Sequence, residues 1–309
     1  MKRLLTLVFA ASFACAFGQQ DVQFTQYMNN KMLLNPAYAG LNGAICASLA
    51  HRTQWMSFAG APVSQNLNAH MPIKKIRGGL GLSITVDKIG KESNNNFLLN
   101  YSYHKDLGAG KLGIGIGLGL LNKQIEGNGW IAPDGSSGGA DPSIPQGEFS
   151  DFTPDINLGI YYAADKYFLS LSTTHLVEFD AEFTGTSSIS QARHLYLMGG
   201  YDFDMTAELT LQPSILVRSD FASTNFDLNA MALYNNKFWA GLSYRMEDAM
   251  AILVGMNVLD GLKVGYSYDL TTSELKNYGS GSHELLLNYC FTIERPPAQP
   301  ERYRNVRFL

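Results

Sequence analysis

The sequence predicts an all-β chain, a transmembrane antiparallel β-barrel of about fourteen strands. Three observations carry that reading: apolar residues recur with period two over most of the chain, the alternating runs are about ten residues long, and short connections alternate with long ones. In a strand, successive side chains point to opposite faces. Over Lys111–Leu120 this puts Leu112, Ile114, Ile116, Leu118 and Leu120 on one face and Gly113, Gly115, Gly117 and Gly119 on the other. Leu209, Leu211, Ile215 and Val217 likewise alternate with Glu208, Thr210, Gln212, Ser214 and Arg218. Leu285, Leu287, Tyr289 and Phe291 alternate with Glu284, Asn288 and Cys290. A soluble sandwich alternates too, so periodicity alone leaves open which face meets lipid.

Strand length separates the two. The runs fall near 43–55, 64–73, 78–87, 96–106, 110–122, 154–164, 167–175, 193–204, 207–218, 224–234, 237–246, 249–258, 262–270 and 282–292. A tilted strand needs about nine to eleven residues to cross a bilayer, whereas soluble strands average about five or six.

The connections agree. With the N-terminus in the periplasm, every second connection is a short periplasmic turn and the others are free to be long. Lys74–Arg77, Asp106–Ala109, Asp165-Lys166, Met205-Thr206, Asn235-Asn236 and Asp260-Gly261 are tight, and several carry the Asn, Asp and Gly that hairpins favour. Lys123–Thr153, Leu176–Ala192 and Thr271–Gly281 are the long partners, rich in Gly, Ser and Pro. Tyr101, Tyr103, Tyr161, Tyr162, Tyr234, Phe238, Tyr266 and Tyr268 lie toward strand ends, as the aromatic girdles of a barrel would.

Composition and the N-terminus are consistent with export to an outer membrane. Lys2 and Arg3 precede an uncharged run from Leu4 to Phe17, and Ala16-Phe17-Gly18 offers a signal-peptidase site. Residues 1–18 therefore read as a cleaved signal peptide with Gln19 as the mature start. A lipoprotein cut before Cys15 is the alternative, and Phe13 fits that recognition site badly. Charged residues make up 16% of the chain and aromatics 12%, with a net charge of −4. Such a chain has no basic field to recruit nucleic acid.

Two segments fall outside the barrel, 43–293. Residues 19–42 are polar and turn-rich around Asn35-Pro36, and would form a periplasmic or luminal segment; 294–309 would be a periplasmic tail, with three prolines followed by Arg302, Arg304 and Arg307. The glycine row at 113–119 either permits barrel curvature or leaves room for the N-terminal segment or an inserted peptide.

Little in the chain points to chemistry. The six histidines, at 51, 70, 104, 175, 194 and 283, form no metal-binding pair at short spacing. No cofactor is expected. The best catalytic candidate is an outer loop in which His175 and His194 flank Glu178, Asp180 and serines; loop acids and serines are common, and no catalytic residue is assigned. Asp134–Asp141 lacks the carboxylate spacing of an EF-hand. Cys46 and Cys290 lie on the first and last strands, near the same end, each on a face with polar residues. They form either a closure-seam pair, with or without a disulfide, or two unpaired side chains.

Gln23-Phe24-Thr25-Gln26-Tyr27-Met28 and Asn35-Pro36-Ala37-Tyr38-Ala39-Gly40 resemble the opening of the PorP/SprF family of Bacteroidota outer-membrane proteins. Arg52-Thr53-Gln54-Trp55, Gly60-Ala61-Pro62, His70-Met71-Pro72, Gly79-Leu80-Gly81-Leu82, Asp87-Lys88-Ile89-Gly90 and the tail Tyr303–Leu309 extend the match. The resemblance implies type IX secretion and gliding motility. The partners it implies are the outer-membrane bilayer, other components of the secretion system, and the C-terminal domain of a secreted, adhesin-type cargo that the protein helps export or attach. Structural or partner candidates are Gln23, Gln26, Tyr27, Asn35, Pro36, Arg52, Trp55, Arg302, Arg304 and Arg307. The alternative function is a channel for small solutes or lipids. The intact mass of protein recovered from outer membranes is expected to lack residues 1–18; retention of Met1 would refute the cleavage.

Overall fold

The computed structural model describes residues 21–127, 147–184 and 187–292. Its strands are β1 (Ile45–Thr53), β2 (Val63–Ile73), β3 (Gly78–Ile89), β4 (Glu92–Leu107), β5 (Gly110–Glu126), β6 (Glu148–Ala164), β7 (Tyr167–Thr174), β8 (Asp180–Thr184), β9 (Ser187–Ser190), β10 (His194–Tyr201), β11 (Phe203–Asp204), β12 (Leu209–Ser219), β13 (Thr224–Tyr234), β14 (Phe238–Arg245), β15 (Ala249–Leu259), β16 (Leu262–Thr271) and β17 (Ser282–Phe291). Fourteen of them pair edge to edge in antiparallel fashion, and the β10–β12 and β1–β17 ladders close the ring. The two-residue β11 pairs with β12 at one end of the wall, and β8 and β9 form a separate hairpin. Closure lets a sheet sit in hydrocarbon, because it leaves no edge with unpaired backbone groups.

The faces answer the question that periodicity left open. Leu99, Leu242, Ile114, Leu118 and Leu285 are at least half exposed on the outside. Asn66, Asn68, Asn100, Ser102 and Ser267 face inward and are buried. Apolar outside and polar inside is the arrangement of a lipid-embedded barrel. The end carrying the tight connections is called here the turn end, and the opposite one the loop end. At Asn235-Asn236 both residues have positive φ (51° and 53°), the geometry of a type I′ hairpin turn.

The structure departs from expectation in four places. The loop placed between 87 and 96 is a tight turn at Gly90-Lys91, because β3 and β4 continue to pair as far as Ile89 and Glu92. β5 and β6 likewise run 17 residues each and project beyond their neighbours at the loop end. β7 pairs with β6 only from Leu158 onward. The overhanging edge is blunted: Pro154 has no N–H to offer, and Phe152 donates its own to the Asp151 carboxylate at 2.8 Å. The connection after β7 contains the unforeseen β8–β9 hairpin. Finally, Tyr161 belongs to no girdle: it points inward, is 1% exposed, and packs edge-on against Tyr38. Tyr103, Tyr234 and Phe238 do face outward near the turn end. The 134–141 loop and the 294–309 tail lie outside the described residues.

At the closure seam β1 and β17 pair Cys46 with Cys290 and Arg52 with Glu284. Cys290 donates its N–H to the Gly261 carbonyl on the β16 side, so Cys46 and Cys290 form a non-hydrogen-bonded pair. Opposite side chains approach closest at such positions. The Cα atoms are 4.1 Å apart and the sulfurs are bonded. This link joins the first and last strands across 244 residues, a loop length at which a disulfide contributes a few kcal/mol by constraining the unfolded chain. The double substitution Cys46→Ser, Cys290→Ser is expected to lower the temperature at which the barrel loses its compact gel mobility while leaving it closed at room temperature. An unchanged transition would show that the ladder alone holds the seam.

Candidate functional site

Residues 21–44 join no strand. They fill the lumen, and the chain descends from the loop end to the turn end before reversing into β1. Three single-turn 3-10 helices, Tyr27–Asn29, Lys31–Leu33 and Pro36–Tyr38, break the descent. The last has a local cause: Asn35 is extended and its side-chain oxygen accepts from the Ala37 N–H at 2.9 Å, while Pro36 occupies the first helical position. Asn35, Ala37 and Ala39 are fully buried. The described part of the segment thus begins at the loop end and lies in the lumen, one of the two places the sequence leaves open for it.

At the loop end Asp21 is the anchor. Its carboxylate accepts from His175 Nε2 and Tyr196 Oη (2.9 Å each) and from Thr174 Oγ1 (2.7 Å), and its backbone N–H donates to His194 Nε2. The other ring nitrogen of His175 meets Asp155 at 2.9 Å. Burial opposes the charge on His175, but the two carboxylates prevail and hold its pKa up at about 10. Burial likewise opposes ionisation of Asp21, and His175 nonetheless keeps it well below the usual carboxylate range. Both ring nitrogens of His175 are taken by carboxylates, and Glu178 accepts from the Arg193 N–H at 3.0 Å. The loop proposed as a catalytic candidate is therefore used as a latch.

One turn lower lies a buried clamp. Glu284 accepts the successive backbone N–H groups of Thr25 (2.6 Å) and Gln26 (2.9 Å). Arg52 bridges Glu284 (3.2 Å) and Asp269 (2.7 Å) and also donates to Thr25 Oγ1, which in turn donates to Asp269. The charges continue along the wall: Arg245 lies 3.7 Å from Asp269 and 3.2 Å from Asp227, and Asp227 meets Arg218 at 3.0 Å. Tyr27 Oη lies 3.3 Å from Ser214 Oγ.

Toward the turn end, apart from those of Lys31 and Lys263, the contacts are neutral. Asn30 bonds Asn66, Asn68 and Ser48. Asn35 Nδ2 donates to Ser170 Oγ (2.8 Å) and the Ile160 carbonyl (3.0 Å). The carbonyls of Leu34, Ala37 and Ala39 accept from Ser172, Ser102 and His104, respectively. Two glycines of the row exist for this segment. A Cβ at Gly113 or Gly115 would overlap the Ala37 backbone, whereas Gly117 and Gly119 lie against Asn100 and Phe97 of the adjacent strand.

Of the sequence candidates, Gln26, Tyr27, Asn35, Pro36 and Arg52 meet at the interface between segment and wall. Gln23 is half-buried in the same segment. Trp55 sits apart at the loop end, its N–H donated to Ser282 Oγ at 3.1 Å. Cys46 accepts from Asn42 Nδ2 at 3.1 Å, so the seam pair also touches the base of the segment. Arg302, Arg304 and Arg307 lie outside the described residues. Asp21, Asp155, Asp269 and Glu284 were not singled out; the only sequence signal for the last three was acids on a lumen-facing register.

Arg52→Met is expected to destabilise the barrel by about 3–5 kcal/mol, because Asp269 and Glu284 are left buried without their cation; heat-modified gel mobility would measure it. The latch should depend on pH. The ordinary histidine pKa is 6.5 and His175 titrates near 10 in the fold. Its contribution is complete below pH 6.5 and is lost as pH rises through 10. Asp21 loses its contribution only as pH falls below its ordinary 3.8. Hydrogen exchange at residues 21–24, corrected for intrinsic rates, should therefore be slowest between about pH 4 and 6.5 and accelerate toward pH 10. A His175→Asn variant should lack the alkaline phase.

Three solved outer-membrane proteins show the same architecture. The Ralstonia pickettii toluene transporter TbuX superposes with a TM-score of 0.53 at 11% identity, over 86% of this chain and 94% of its own. The P. putida toluene transporter TodX gives 0.51 at 10% identity over 87% and 95%, and the CymD monoaromatic hydrocarbon channel gives 0.50 at 13% over 86% and 93%. At these identities the likeness is one of fold. No curated protein matches the sequence. The model of the type IX secretion system membrane protein PorP/SprF matches residues 16–289, which contain the luminal segment, the clamp and nearly the whole wall. The chain is an outer-membrane β-barrel and belongs to the PorP/SprF family of type IX secretion system membrane proteins.

Proposed function

We propose that this barrel is a non-enzymatic outer-membrane partner for proteins leaving through the type IX system, helping to export them or attach them at the surface. The single observation that carries the reading is the filled lumen. A segment held by the Glu284 clamp, the Asp21 latch and neutral hydrogen bonds along its length occupies the space a solute would need. That favours a partner over the alternative, a channel for small solutes or lipids. On this reading the cargo is an adhesin-type protein of the gliding machinery, recognised through its C-terminal domain. The tail 294–309, with Arg302, Arg304 and Arg307, docks other secretion components in the periplasm.

Affinity capture of the full chain from outer membranes should enrich the C-terminal domain of a secreted protein over a control barrel. Deleting 294–309 should release periplasmic partners and leave the barrel folded. Absence of any secreted C-terminal domain would reject the export role. In planar bilayers the intact chain should be closed, and deletion of 21–43 should open a steady conductance. Steady conductance from the intact chain would favour the channel.

A further inference from the structure

The turn end of the lumen holds a vestibule that none of the contacts above requires. One lobe, about 430 Å³, lies beside β1 and β15–β17, and a second, about 280 Å³, lies beside β6 and β7. Asn29, Lys31 and Lys263 line both lobes. The Lys31 ammonium sits 3.9 Å from the centre of the Phe168 ring, and Lys263 donates to Asn29 Oδ1 at 3.2 Å. Neither lysine forms an ion pair with a carboxylate of the described residues, and the Lys263 charge disfavours that of Lys31. With its oxygen taken by Lys263, Asn29 keeps a buried Nδ2 that has no acceptor among the described residues.

The centre of the vestibule is thus built from donors. A ring face and one amide oxygen offset part of the cost of withdrawing two ammonium groups from bulk water, and a full anion is what the arrangement lacks. The acids nearby do not supply it. Asp165 and Asp260 are exposed on the rim turns, and half-buried Asp202 acts on the lysines only at longer range. The luminal segment closes the far side, so a ligand enters from the turn end. The remaining lining includes the amides Asn236, Asn257 and Asn288, which match the N–H and C=O groups of a peptide backbone.

We propose that this vestibule is a carboxylate-binding site that receives an acidic side chain or chain terminus of a peptide from the periplasmic side, with Lys31 and Lys263 pairing the carboxylate and the asparagines holding the adjoining backbone. The inference stands on the vestibule alone; failure of the cargo reading above would leave it intact, and its own failure would not touch cargo capture.

The test uses the full chain in detergent micelles and a labelled hexapeptide of alternating Glu and Gly with a free C-terminus, read by fluorescence anisotropy. Lys31→Gln and Lys263→Gln should each weaken binding by about tenfold or more, the loss of one charge-assisted contact. Lys31→Arg and Lys263→Arg should retain most of it, and Lys88→Gln, exposed at the loop end, should change nothing. Heat-shifted gel mobility confirms that each variant is folded. Carbodiimide coupling of the bound peptide should modify Lys31 or Lys263. Equal binding of an amidated Gln–Gly peptide, or normal binding by both Gln variants, would overturn the site. Glutarate competing as strongly as the peptide would overturn the peptide assignment, since a free acid would then suffice.

Discussion

Closure of β1 against β17 is the constraint on which the rest of the structure depends. A sheet in hydrocarbon must satisfy its last edge with its first, and here the meeting strands bring Arg52 opposite Glu284 and Cys46 opposite Cys290. The same register that makes the barrel therefore makes the upper clamp and the lower staple. Glu284 depends on Arg52 beside it, because a buried carboxylate without a cation is costly at that depth. Once paired, it accepts the backbone N–H groups of Thr25 and Gln26 and fixes where the luminal segment crosses the seam. The disulfide secures the other end of the seam, close to Asn42, where that segment reverses into the wall.

The segment and the wall depend on each other through space as well as charge. Gly113 and Gly115 present bare backbone where Ala37 passes, and Asn35 occupies the place a side chain at Gly159 would take. The inward serines and asparagines are spaced to meet carbonyls and amides of a chain that has no ladder of its own. Apolar packing fills the lumen alongside this polar fit. Tyr27, Met28, Leu34, Ala37 and Leu41 of the segment join a cluster with Tyr161, Met198, Trp239 and Leu253, and Phe24 joins a second with Ala50 and Leu286. Polar contacts of this kind are directional, and each exchanges for water at little net cost. A segment held by them is firmly placed while the lumen is dry, and is easier to displace once water or a competing chain reaches it.

How much was legible in the sequence follows from which contacts are local. All fourteen wall strands are visible as period-two runs, because pleat and lipid act on neighbouring residues. The ends of β4, β5 and β6 were misjudged because those strands continue beyond the membrane, where Asn94–Asn96 and Asp151–Thr153 no longer need to look apolar. The β8–β9 hairpin carries too few apolar residues to register as sheet. Tyr161 looked like a girdle residue because proximity to a strand end does not tell inside from outside. Asn35-Pro36 was legible as a turn because its cap is two residues long. The Asp21 latch was not, since Asp21 and His175 lie 154 positions apart and neither has a local reason to be charged. The direction of the segment is not legible for the same reason, since it rests on Asp21 meeting His175 at the loop end.

That direction matters for mechanism. A segment entering from the loop end and leaving at the turn end spans the lumen completely, so the two mouths of the barrel are separated by one continuous, internally supplied strand of chain. Its two ends are held by different physics. The loop end rests on buried charges, where His175 and Asp21 favour each other's charged form and Asp155 supports His175 from the other side of its ring. The turn end rests mostly on neutral hydrogen bonds and on a covalently closed seam. A force or ligand acting at the turn end meets these first, where contacts exchange singly with water. One acting from outside meets the latch, where removing one partner strands another charge. The asymmetry makes the turn end the easier one from which to loosen the segment, and it is the end at which Lys31 and Lys263 lie.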